Sequence, residues 1–115
     1  MAPREFLTSN GLATAGFALP AAIAAHLVHP DRRVVCFTST AGLTAAATEL
    51  GTVARLGAPI VVVAFRDAAV DASDPVRLAR SFGVASSVAD GAETFAEALG
   101  RALRGDDPAV ISVLA

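Results

Sequence analysis

At 115 residues with 54% hydrophobic content, the chain is long enough to bury one core and too short for two, so a single domain over residues 1–115 is expected. Nine basic residues stand against eleven acidic ones for a net charge of −2. All nine are arginines, scattered from Arg4 to Arg104, which argues against the clustered basic face of a nucleic-acid partner. The longest apolar runs are strand-length, short of the ~20 residues of a membrane helix, and Met1-Ala2-Pro3-Arg4-Glu5 lacks a signal peptide's apolar region. The single cysteine allows no disulfide framework and suits a reducing compartment. A cytoplasmic chain with neither nucleic-acid nor membrane partners is expected, as a monomer or homo-oligomer.

Strands and helices alternate in chain order. Phe6-Leu7-Thr8 is a short candidate strand. Phe17 to Leu27 reads as an Ala-rich helix, with Pro20 tolerable only in its first turn, and His29-Pro30-Asp31 stops it. Val34 to Thr38 is apolar without strict alternation, which predicts a strand buried on both faces, and Pro59 to Phe65 repeats the pattern more strongly. Both are expected to lie centrally in a parallel sheet. Flanked by Val35 and Phe37, Cys36 is expected to be buried, which keeps a thiol protonated and inert.

Between those strands, Leu43, Ala46, Ala47, Leu50, Val53 and Ala54 recur at helical spacing, with Thr44, Thr48, Glu49, Thr52 and Arg55 on the other side and Gly57 as the stop. A polar stretch from Arg66 to Asp74 precedes a helix from Pro75 to Phe82. The strand Val84 to Val88, the helix Ala92 to Leu103 and the strand Ala109 to Leu114 complete the chain. In the last helix Phe95, Ala98, Leu99, Ala102 and Leu103 share one side. This order predicts a three-layer α/β/α sandwich, Rossmann-like, with a mostly parallel, doubly wound sheet of about five strands and right-handed crossovers.

Ligands in such sheets sit beyond the carboxyl ends of the strands, which selects the loops Ser9 to Gly16, Ser39 to Gly42 and Arg66 to Asp74. The middle one has the frame of a phosphate-and-metal loop. An apolar strand enters a small-residue turn and a helix starts at once, so free N–H groups and a positive dipole end face outward. No carboxylate stands in the turn itself. His26 and His29 suit a helix end better than a metal. Ser9, Ser39 and Ser73 have no Gly-x-Ser-x-Gly elbow, and no catalytic residue is assigned. Asp67, Asp71 and Asp74 form a small acidic cluster of the solvated kind.

The runs Phe6 to Ala25 (FLTSNGLATAGFALPAAIAA) and Leu56 to Val63 (LGAPIVVV), with Leu78-Ala79-Arg80-Ser81-Phe82-Gly83 and Pro108-Ala109-Val110-Ile111, resemble the diphosphate-binding domain of thiamine diphosphate enzymes of the acetolactate synthase and benzoylformate decarboxylase type. The resemblance implies a cofactor site formed by Asn10, Gly11, Ala15, Ser39, Thr40, Ala41 and Gly42. It also implies a magnesium site formed by a Gly-Asp-Gly turn and, one helix and one strand later, an Asn or Asp. Asp67 keeps that register and is the vestigial metal position. Ser39-Thr40-Ala41 stands where Gly-Asp-Gly is expected, so a hydroxyl replaces the carboxylate and two Cβ atoms enter a turn that relatives keep bare.

Other departures collect at positions that the resemblance places near cofactor or partner. Ala15 replaces a Met and Arg66 an Asn, only Ala68 to Asp74 remains of a longer segment that folds over the diphosphate, and Thr44, Ala45 and Thr48 are small or polar. Glu5, Glu49, Glu93 and Glu97 include none at the place of the activating glutamate, which the family takes from a separate pyrimidine domain. Two readings follow from the resemblance. One is a non-catalytic scaffold, engineered or minimised, with no cofactor. The other is a module that binds thiamine diphosphate and magnesium with a pyrimidine-domain partner chain.

Overall fold

A computed structural model describes residues 16–66 and 73–114. Along the chain run α1 (Ala18–Val28), β1 (Val34–Ser39), α2 (Thr40–Ala45), α3 (Thr48–Leu56), β2 (Ile60–Arg66), α4 (Pro75–Ser81), β3 (Ala85–Ala89), α5 (Ala92–Arg104) and β4 (Ala109–Leu114). The expected elements in this range are present to within a residue or two, except for one helix. The candidate strand Phe6-Leu7-Thr8 lies outside the described residues, which contain a four-stranded sheet in the order β1-β2-β4-β3.

Every pairing is parallel, with Val34 opposite Ile60, Val62 opposite Val110 and Ala85 opposite Ala109. The order dictates where the helices go. From β1 to β2 and on to β3 the chain advances in one direction, and right-handed crossovers keep α3 and α4 on one face. The return from β3 to β4 runs backwards, so the same handedness sends α5 to the opposite face. On the first face Leu19, Ile23, Cys36, Leu43, Leu50, Val53, Ile60, Val62 and Val110 form the larger core. On the second, Val61, Val63, Ile111, Ala89 and Ala98 close a smaller one with Phe95, Leu99, Ala102 and Leu103 of α5. The result is the expected α/β/α sandwich.

Helix ends follow local chemistry. Asp74 caps α4, its carboxylate accepting the Val76 N–H at 3.0 Å, and Pro75 opens the first turn. The Thr94 hydroxyl accepts the N–H groups of Asp90 and Gly91 at the start of α5. Gly57 ends α3 in the left-handed conformation at φ 59°.

Two expectations are corrected. The single helix predicted across residues 43–54 is two, α2 and α3, separated by Ala46-Ala47. Through the break the backbone tightens to i→i+3 bonds, Ala47 N to Thr44 O, Glu49 N to Ala46 O and Leu50 N to Ala47 O. Just upstream the Thr44 hydroxyl donates to the Thr40 carbonyl at 2.8 Å, the kind of back-bond that bends helices. Residue spacing carries no trace of that bond.

The second correction concerns β1, which is not central among the described strands and is not buried on both faces. Cys36 is buried on the larger core, whereas Val35 and Phe37 remain 37% and 54% exposed. Among the described residues a single helix, α5, covers the second face, and it packs on β3, β4 and β2. Strand β2, by contrast, is central as expected and buried from Ile60 to Ala64.

Burial pushes the Cys36 thiol up from 9.0 to about 11, because the core cannot solvate a thiolate. The folded chain therefore holds this proton more tightly than the unfolded one. Stability should be level below about pH 9 and fall by about 2–3 kcal/mol as pH rises to about 11. The chain has neither Tyr nor Lys, so no other side chain titrates strongly in that window. Urea unfolding of the chain and of Cys36→Ala across this range checks it, the variant lacking the slope.

Candidate functional site at the tips of the first two strands

The strand tips bring together what the turn sequence suggested. Val34 to Ser39 runs in register with Ile60 to Phe65, so Ser39 sits opposite Phe65 at the last pair. Ser39 is extended at φ −80°, ψ 164° and caps α2, its hydroxyl oxygen accepting the Gly42 N–H at 3.0 Å. One of the turn's outward N–H groups is thus already satisfied by the chain itself.

Thr40 follows at the first position of α2 and is 2% exposed. Its hydroxyl donates to the Phe65 carbonyl at the tip of β2, 3.0 Å away. Its own carbonyl accepts the Thr44 hydroxyl. The side chain therefore points inward between the strand tips. Ala41 is exposed beside it.

Gly42 is buried, and a Cβ there would come within 2.5 Å of the Thr38 hydroxyl and 3.3 Å of the Ser39 hydroxyl. Its bare backbone is what lets the turn fold back on its own strand. Gly16, at φ 86°, approaches the same turn, with Ala45 and Ala46 each 3.4 Å from where its Cβ would stand. The first and second loops selected from sequence thus meet at Gly16 and α2. The third begins at Arg66, whose Nε is buried without a hydrogen-bond partner among the described residues.

Of the positions singled out from sequence, Ser39, Thr40, Ala41 and Gly42 form one turn. Asn10, Gly11, Ala15 and Asp67 lie outside the described residues. Sequence reasoning missed the role of Phe65, whose backbone carbonyl holds Thr40. It also missed the apolar surface beside the turn. Phe37 and Phe65 stack with ring centroids 6.4 Å apart and line an open groove of about 330 Å³ with Ala92, Phe95, Val113 and Leu114. Alternation along β1 puts Phe37 on the face opposite Cys36, but only the strand order reveals that, among the described residues, no helix covers it.

Strand order and parallel register define a doubly wound α/β domain whose candidate site is the turn from β1 into α2. The family described as thiamine pyrophosphate enzyme, C-terminal TPP binding domain, matches residues 1–73, and the chain belongs to it. A probable acetolactate synthase large subunit of Methanococcus aeolicus is 33% identical over 127 aligned positions, covering 92% of this chain and 21% of that protein. An acetolactate synthase of Bacillus subtilis strain 168 is 35% identical over 130 positions, covering 96% and 23%. The structure of a thiamine diphosphate-dependent 4-hydroxybenzoylformate decarboxylase from Rhodococcus jostii RHA1 superposes with a TM-score of 0.78 at 28% identity, over 87% of this chain and 23% of that one. The chain thus spans less than a quarter of the length of these relatives. Among the described residues no helix is long and apolar enough to cross a membrane.

Proposed function

We propose that this chain is a non-catalytic α/β scaffold built on the diphosphate-domain fold, one that by itself does not hold magnesium diphosphate. The observation that carries this reading is the placement of Thr40. At the position where the family resemblance puts a metal carboxylate stands a neutral hydroxyl, buried and already donated to the Phe65 carbonyl. A hard divalent cation takes charged or carbonyl oxygens in an open, six-coordinate shell, and this arrangement does not fit one. Loss of a charged ligand costs well over tenfold in affinity.

Two further observations support it. The 127 positions aligned with the Methanococcus protein exceed the 115 residues of this chain, so that relative carries residues which this chain lacks within the matched stretch. The family match also stops at residue 73, next to the Asp74 cap. This is where the segment expected to cover the diphosphate is short. Core positions are family-like while the altered ones cluster at the turn and at exposed Thr44 and Thr48, a selectivity that suits a domain engineered or minimised to stand alone. In this reading it is a cytoplasmic monomer or homo-oligomer without nucleic-acid or membrane partners. An obligate multimer burying Thr44 and Thr48 in solution would contradict the engineered origin.

The second reading is a thiamine diphosphate and magnesium module that works with a pyrimidine-domain chain. It draws on family membership and on Asp67, which keeps the metal register. Calorimetric titration of the chain with magnesium thiamine diphosphate separates the two. No saturable heat below millimolar cofactor is expected; micromolar affinity would favour the module.

A further inference from the structure

We infer that the Thr40 hydroxyl is a latch that ties the tips of β1 and β2 together without a cation and closes the space between them. This rests on the reading that the turn does not hold magnesium. The need for a tie is visible in the backbone. Ser39 and Phe65 are the last β1–β2 pair, and beyond them β1 turns into α2, so no later strand residue holds the first strand to the second. The Thr40 hydroxyl adds a side-chain bond at this point, donating to the Phe65 carbonyl at 3.0 Å.

Thr40 is held from the other side as well. The Thr44 hydroxyl takes its carbonyl at 2.8 Å, and Gly42, whose bare backbone the turn requires, is tied by its N–H to Ser39. These bonds chain α2 to its own strand and to the neighbouring one. Opening the tips would strip the buried Thr40 hydroxyl of its partner, a penalty that corresponds to about tenfold in the local opening equilibrium.

Amide hydrogen exchange of the full chain tests the latch. Thr40→Val keeps the shape and removes the hydroxyl, whereas Thr40→Ser keeps the hydroxyl. Exchange at Gly42, Arg66 and Thr40 itself should quicken about tenfold in the Val variant and stay near the parent rate in the Ser variant. Equal rates in parent and Val variant, or equally fast exchange in both variants, would overturn the latch. If Thr40→Val does not fold, the unaltered chain still decides. A latched Thr40 hydroxyl proton exchanges slowly enough to be seen by NMR, and fast exchange with solvent sinks the inference. Micromolar binding of magnesium thiamine diphosphate alongside a protected hydroxyl would end the functional reading and leave the latch standing. An unprotected hydroxyl with no cofactor binding would do the reverse.

Discussion

Replacing Ser39-Thr40-Ala41 by Gly-Asp-Gly is expected to make the domain's stability depend on metal. In chelator the triple variant should lose about 3–5 kcal/mol of stability. The new carboxylate enters a site that is 2% exposed and faces a backbone carbonyl where the hydroxyl donated a bond, and an uncompensated buried charge costs that much. The two glycines add the backbone entropy of flexible residues, and Ser39→Gly gives up the cap on Gly42, which costs only a few tenths of a kcal/mol. With magnesium and diphosphate the carboxylate gains its counter-charge, so the loss should be largely recovered through ligand binding. Denaturant unfolding in chelator and in magnesium thiamine diphosphate measures both halves. A variant that is destabilised but unrescued would show that the shortened segment after Asp67, more than the missing carboxylate, abolishes binding.

Leu50→Ala should cost about 2–5 kcal/mol, among the largest single effects the fold can show. Leu50 is fully buried in α3, in the larger core formed with α1, β1, β2 and β4. Truncation leaves a void against close-packed neighbours that relax only in part. Val88→Ala on the edge strand β3, where the side chain is 54% exposed, should stay within about 0.5 kcal/mol. The comparison asks whether the larger core carries the stability of a chain in which α5 is the one described helix on the second face. Similar unfolding midpoints for the two variants would mean that it does not.

Much of the fold was legible from residue pattern because the signals are local. The run from Ile60 to Phe65 could only be a central strand, since its near-continuous β-branched sequence needs cover on both faces. Gly57 and Pro75 announced a helix end and a helix start through conformations set within one turn, whereas Asp74, read as a solvated loop carboxylate, is shown by the structure to cap α4. The family likeness was legible too, because Gly16, Pro20 and the strand cores mark backbone geometry that few residues satisfy. Where a reading failed, the deciding contact lay far away in sequence. Val34 to Ser39 carries the same apolar character as a central strand, yet its neighbours leave Val35 and Phe37 in the open. The break at Ala46-Ala47 comes with no Gly or Pro to announce it. It lies one turn beyond a hydroxyl back-bond that composition cannot foretell.

By itself the sequence determined the alternation of strands and helices and the absence of a carboxylate at the turn, since each is a property of residue type and position along the chain. Only the tertiary structure decided the strand order, which by the handedness of crossovers placed α5, alone among the described helices, on the second face and left Phe37 exposed. It also decided the direction of Thr40. A threonine at a helix start can face solvent, a ligand or the protein, and the carbonyl of Phe65, 25 residues away, lies close enough to draw its hydroxyl inward.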